Sequence, residues 1–220
     1  MKKLLIAGVL ATALAFTISA SAALVPGVYD PGKTGCVEAT FIKKTKTLHL
    51  EKNCPTATNA SAGAEVTGVI GQTFQSASFT LASASQCQGG SPRFNVYTTG
   101  GTFFLGCNNV TPTINADGTA TYTFAASDLQ PQVSGTTPGT ITSDGMSILI
   151  DQNGTADITN IVVNGTKEVP LTQQALRKAA CKNGAWKKLT NPTFKNQGQC
   201  ISHWNHVLHA ASKTLHKHHK

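Results

Sequence analysis

Between residues 55 and 166 the chain has a single basic side chain, Arg93, and no histidine. Charged residues make up 13% of the whole and aromatic residues 6%, and both tryptophans, Trp186 and Trp204, fall near the C-terminal end. A middle region without histidine argues against acyl-transfer chemistry there, which sets a base beside a nucleophile. A glycosidase would need two carboxylates flanking a cleft. Asp117, Asp144 and Asp151 instead stand in turn contexts, where Asp is common for backbone reasons. No GxGxxG, P-loop, HExxH or GxSxG string occurs, so the sequence carries no familiar cofactor or catalytic signature. It also lacks CxxC, the spacing that would bring cysteine pairs onto zinc. The one long apolar run, residues 4–18, is shorter than the roughly 20 residues that span a bilayer and is broken by Thr12 and Thr17. No transmembrane segment is expected.

That run follows Met1-Lys2-Lys3 and precedes Ala20-Ser21-Ala22, the positive, apolar and small-residue order of a cleavable signal peptide. Residues 1–22 are therefore predicted to be removed and the product to be secreted, or periplasmic in a cell with an outer membrane. No cysteine stands at Ala23 for lipidation. The six cysteines, Cys36, Cys54, Cys87, Cys107, Cys181 and Cys200, are an even number in an exported chain and read as disulfides. They come in three couples close in sequence, so pairs 36–54, 87–107 and 181–200 are expected.

Charge divides the chain. Residues 23–54 hold five basic and three acidic groups, residues 55–166 one basic and six acidic, and residues 167–220 ten basic and one acidic. A boundary near Lys167 follows.

Residues 36–54 alternate apolar and polar positions around a Lys-Lys-Thr-Lys turn, with Phe41 and Leu48 or Leu50 on one face, which predicts a β-hairpin. Residues 55–63 are small and polar and read as a linker. From Glu65 to Val163 short β-type runs alternate with Gly89-Gly90, Gly100-Gly101, Asp117-Gly118, Asp144-Gly145 and Asn153-Gly154. That pattern predicts a sandwich or barrel. Asn153-Gly154 gives the strongest hairpin signal, a type I′ turn. Asp151 to Asp157 gathers two carboxylates and an amide but lacks the bidentate Glu and 12-residue loop of an EF-hand, so an ordinary hairpin is preferred over calcium. After Pro170 the text turns basic and helix-compatible. Ile201, Trp204, Leu208, Ala211 and Leu215 form one apolar stripe at helical spacing, with His203, His206, His209, Lys213, His216, Lys217, His218, His219 and Lys220 around it. His203, His206 and His209 advance by three rather than four, which spreads them too widely for one metal.

Two resemblances enter here. The run Cys181-Lys-Asn-Gly-Ala-Trp186 with Phe194-Lys-Asn-Gln-Gly-Gln-Cys200 resembles CKxGGW…FKNQGxCVS, a short C-terminal signature of uncharacterised secreted bacterial proteins that carries no assigned activity. Ala185 replaces its second glycine, and Ile201-Ser202-His203 replaces Val-Ser-Tyr or Val-Ser-Phe. The middle region loosely resembles jelly-roll carbohydrate-binding modules, whose last strand often reads like ADITNIVVNG. That likeness implies a fold, and function does not follow from fold.

The expected architecture is all-β: signal peptide 1–22, a disulfide-closed hairpin and linker over 23–58, an antiparallel jelly-roll-like β-sandwich over 59–168, and a small basic helical module over 169–220. The expected function is that of a secreted non-enzymatic protein whose C-terminal module attaches to anionic envelope or extracellular polymers through Trp186, Lys187, Lys188, Lys195, His203, Trp204 and His206, since so dense a basic segment attracts polyanions. No sequence-specific nucleic-acid reader and no cofactor is expected. The alternative is a glycan binder of the carbohydrate-binding-module kind with Tyr97 or Tyr122 in its site, because a flat ring covers the apolar face of a sugar. A third reading is a small extracellular hydrolase.

Overall fold

The structure is a computed structural model that describes residues 23–170, 181, 187 and 194–202. Residues 1–22, most of 171–193 and all of 203–220 lie outside the described residues, and with them the expected signal peptide and the apolar helical stripe beyond Ile201.

Fourteen strands are described: β1 (Ala23–Tyr29), β2 (Val37–Ile42), β3 (Thr47–Lys52), β4 (Ser61–Thr67), β5 (Ser76–Leu81), β6 (Arg93–Thr98), β7 (Gly101–Gly106), β8 (Thr113–Ile114), β9 (Ala120–Ala125), β10 (Gln130–Pro131), β11 (Ile141–Ile150), β12 (Gly154–Val163), β13 (Thr166–Lys167) and β14 (Val169–Pro170). One sheet runs β10-β7-β6-β11-β4-β1-β14 and the other β2-β3-β12-β5-β9-β8, with β13 beside β12. Every pairing is antiparallel except β1 with β14.

The sheets share one core, built by alternate inward-facing residues along the strands. Leu48 and Leu50 of β3, Phe79 and Leu81 of β5, Phe94 and Val96 of β6, Tyr122 and Phe124 of β9 and Ile148 of β11 are all buried in one cluster. Phe94 of one sheet meets Phe79 of the other edge-on at 5.7 Å and Phe124 at 6.2 Å, while Phe79 stacks on Tyr122 at 5.2 Å. Each aromatic contact adds about 1 kcal/mol beyond area burial. All three expected disulfides are present, with Cα–Cα separations of 5.7, 5.8 and 5.7 Å. The expected β2–β3 hairpin is also there, with Phe41 opposite Leu48. Residues 197–202 are helical.

Three expectations fail against tertiary structure. Residues 23–58 were expected to form a separate hairpin with a linker; instead β1 pairs along its whole length with β4, and β3 pairs with β12, so both sheets depend on this segment. The supposed linker ends inside β4, since Ala60, Ala62 and Ala64 are small enough to be buried where strands approach closely. Asn153-Gly154 is not a hairpin turn, because β11 and β12 belong to different sheets. Asn153 holds the crossover to the Cys54 loop, its side chain donating to the Cys54 carbonyl at 3.0 Å and its N–H to Thr56 Oγ1 at 3.2 Å. Asp144-Gly145 lies inside β11, where Gly145 takes φ +73° at a register shift, the conformational demand that makes glycine useful in a bulge.

Candidate binding face

The outward face of the first sheet is the richest in chemistry. β6 reads Arg93-Phe94-Asn95-Val96-Tyr97, so the even-numbered apolar residues turn into the core and Arg93, Asn95 and Tyr97 turn outward. Their neighbours in register are Leu149 beside Arg93, Phe104 and Ser147 beside Asn95, and Thr102 beside Tyr97.

These side chains are wired to one another. Arg93 Nη1 lies 2.6 Å from Asp151 Oδ2, Arg93 Nε donates to Asn95 Oδ1 at 3.0 Å, and Asn95 Nδ2 donates to the Tyr97 hydroxyl oxygen at 3.4 Å. The guanidinium also sits 5.4 Å from the centre of the Phe104 ring, a cation–π contact that holds both flat groups. Ser91 Oγ donates to Asp151 Oδ1 at 2.8 Å. Burial alone would raise the Asp151 carboxyl, but the hydrogen bonds from Arg93 and Ser91, with the Arg93 charge, outweigh it and hold the group below its ordinary value. Asp151 is thus an anchoring carboxylate and a poor proton donor at neutral pH.

Across β11 the same face sinks into a groove of about 270 Å³ lined by Val25, Gly27, Tyr29, Gly63, Glu65, Ser147 and Leu149. Its floor is Gly63 beside Gly27 in register. A Cβ on Gly63 would stand 2.7 Å from both the Ile148 carbonyl and the Leu149 Cβ, so only glycine fits, whereas space above Gly27 is open. Tyr29, 57% exposed, stands at the far side. Three strand steps separate β6 from β1, a face about 14 Å across.

Of the two tyrosines singled out from sequence, Tyr97 is on this face and half-buried. Tyr122 is not available to any ligand: it is 2% exposed and stacked on Phe79, and burial raises its hydroxyl pKa. Lys187 is exposed, and Lys195 is exposed with its backbone N–H donated to Gln199 Oε1. Trp186, Lys188, His203, Trp204 and His206 lie outside the described residues.

Sequence reasoning missed Arg93, Asn95, Phe104, Asp151 and the Gly63 floor. The only basic residue in a 112-residue stretch, placed two residues before Asn95 and four before Tyr97, was the available signal, since period two puts the three on one face. It also treated the sandwich as free of histidine. Because β3 belongs to the second sheet, His49 lies on its outer face, with Nδ1 2.8 Å from Asp157 Oδ1 and Nε2 3.8 Å from Glu51 Oε2. The Asp157 hydrogen bond raises the His49 pKa. Gln86 donates to the other Asp157 oxygen at 3.2 Å. The two carboxylates once weighed for calcium therefore face different partners on different sheets. Among the described residues no group of three or more His, Cys, Asp or Glu side chains is placed to hold a metal, and no helix is long and apolar enough to cross a membrane.

No protein-family model matches the chain, and no curated protein does. Among solved structures, it is similar to the family 11 carbohydrate-binding module from Clostridium thermocellum in complex with a β-1,3-1,4-mixed-linked tetrasaccharide, at 13% identity and TM-score 0.35, over 71% of this chain and 94% of that one. At that level the likeness defines neither ligand nor binding residues here.

Proposed function

We propose that this is a secreted, non-enzymatic binding protein whose first sheet presents a glycan-binding face. The observation that carries the reading is the Asp151–Arg93–Asn95–Tyr97 chain beside the Phe104 ring, adjoining a glycine-floored groove. Sugars offer apolar ring faces edged by hydroxyls; flat rings cover the former, and preset donors and acceptors meet the latter. A site already hydrogen-bonded within itself loses little side-chain entropy on binding. The strand order supports a jelly roll. Counting from β3 and leaving out two-residue strands, the first, eighth, third and sixth stand side by side in one sheet and the second, seventh, fourth and fifth in the other, as when one long hairpin is rolled up. Three disulfides fit an oxidising compartment.

The test is a glycan array with the purified secreted protein, followed by titration of the best oligosaccharide. Tyr97→Ala and Phe104→Ala should each weaken it tenfold or more, with folding checked by circular dichroism. Glycan affinity unchanged in both variants overturns the assignment to this face.

A second reading rests on charge: residues 167–220 hold ten basic side chains against Glu168. On that reading the C-terminal segment attaches the protein to anionic envelope polymers while the sandwich reads a glycan. Retention on heparin should fall steeply with salt, because exposed charges are screened beyond about 8 Å at physiological ionic strength, and should vanish on deletion after Cys200 if His and Lys beyond it carry the contact.

A further inference from the structure

A cavity of about 710 Å³, in the range of pockets that accept small ligands, lies away from the glycan face. Leu24 of β1, Phe41 of β2, Leu48 of β3 and Ile158 and Ile161 of β12 make its apolar wall. Lys43 and Lys46 enter from the β2–β3 turn, and Lys167 and Glu168 from the segment after β12.

Glu168 sets this cavity apart. It is only 4% exposed, and neither carboxyl oxygen has a hydrogen-bond partner among the described residues. Every other buried polar side chain among the described residues is satisfied: Lys52, Thr47, Thr80, Ser91, Asn95 and Thr98 all make hydrogen bonds. Burying a polar group without a partner costs on the order of 1–3 kcal/mol, and the strand pairing does not require a carboxyl at this position. Such a group beside an apolar wall is half of an interaction.

We propose that this cavity binds a free anionic amphiphile, a single-chain carboxylate or sulfonate, with its tail along Phe41, Leu48 and Ile158 and its head among Lys43, Lys46 and the Glu168 carboxyl, which donates to it. Charge decides the class. Three lysines around the opening favour an anionic head and disfavour a cationic one. Lys167 is already steered, its Nζ donating to Asn160 Oδ1 at 2.8 Å, while Lys43 and Lys46 stand exposed on the turn. Among the described residues the charged and titratable groups that line the cavity are Lys43, Lys46, Lys167 and Glu168. Burial pushes the Glu168 carboxyl up to about 7. Below neutral pH it is a neutral donor, and above it adds a negative charge that opposes an anionic guest. A carboxylate or sulfonate head keeps its charge from pH 6 to 8.5. Binding should therefore weaken as pH rises.

The experiment is calorimetric titration of the purified protein with decanoate, decanol and decylammonium below their micelle concentrations, alongside vesicles of anionic phospholipid. Decanoate should bind best and lose about tenfold in affinity from pH 6 to pH 8.5. Glu168→Gln should bind decanoate with no such pH dependence, and the surface double variant Lys43→Glu, Lys46→Glu should weaken decanoate at least tenfold while sparing decanol. Decylammonium binding as tightly as decanoate, no binding by any of the three, or binding to vesicles alone would each overturn the proposal. Glycan results do not bear on it, since the cavity shares no residue with the glycan face.

Discussion

Lys52 ends the inward row Leu48, Leu50, Lys52 on β3 and is 1% exposed. Its ammonium donates to three backbone carbonyls, Thr58 at 2.8 Å, Asp151 at 2.8 Å and Thr56 at 3.0 Å. This one side chain ties the loop after Cys54 to the end of β11. Replacing it by methionine keeps most of the apolar stem and deletes the donors. Hydrogen bonds to a charged group contribute about 1.5–3 kcal/mol each, so three represent about 4.5–9 kcal/mol gross. Against this stands the desolvation of a buried ammonium, several kcal/mol. The Thr56 and Thr58 carbonyls lie on a loop and can turn to water, whereas the Asp151 carbonyl follows a strand. The expected net loss is about 3 kcal/mol, a large part of the 5–15 kcal/mol typical of a domain. Urea unfolding with disulfides intact, followed by near-ultraviolet circular dichroism, measures it as a shift in midpoint at unchanged slope. A loss below about 1 kcal/mol would show that the ammonium's desolvation cancels its hydrogen bonds and would refute the reasoning.

Two further outcomes follow. A fragment of residues 64–168 should fail to unfold cooperatively, because it loses β1 beside β4, β3 beside β12, and Leu24, Leu48 and Leu50 from the core; a sharp thermal transition by circular dichroism would restore the independent sandwich. Stability should also fall with rising pH. The Glu168 carboxyl is raised from 4.5 to about 7 in the fold, so its contribution is full below pH 4.5 and lost as pH climbs through 7, a total of about 3 kcal/mol at 1.36 kcal/mol per unit. His49, also raised, acts in the same direction. The difference between wild type and Glu168→Gln in urea midpoint at pH 5 and pH 8 isolates Glu168, and parallel pH profiles would contradict its burial.

The local pattern of this sequence was enough for its local structure. Cys36 and Cys54, 18 residues apart, and Cys87 and Cys107, 20 apart, close on their nearest neighbours across the β2–β3 and β6–β7 hairpins, because antiparallel strands return the chain to its starting point within that distance; Cys181 and Cys200, 19 apart, pair as well. Period two placed β5, β6, β7, β9, β11 and β12. It also held the answer for the tyrosines: Tyr97 shares its face with Arg93 and Asn95, and Tyr122 shares its face with Ala120 and Phe124. The outward-facing wiring on β6 was legible in the same way, once the lone Arg93 was read together with its neighbours two and four positions on.

What no window of sequence holds is which strand lies beside which. Asn153-Gly154 has the chemistry of a hairpin turn, yet the chain changes sheets there, because β11 completes one sheet between β4 and β6 while β12 completes the other between β3 and β5. Those neighbours lie roughly 50 to 110 residues away in sequence, and burial of both sheets on one core outweighs a turn preference worth far less. The same long-range pairing draws residues 23–58 into the sandwich, sets His49 against Asp157, buries Lys52 under three carbonyls and leaves Glu168 without a partner among the described residues. Each of these depends on a contact between distant segments, and only the folded chain supplies it.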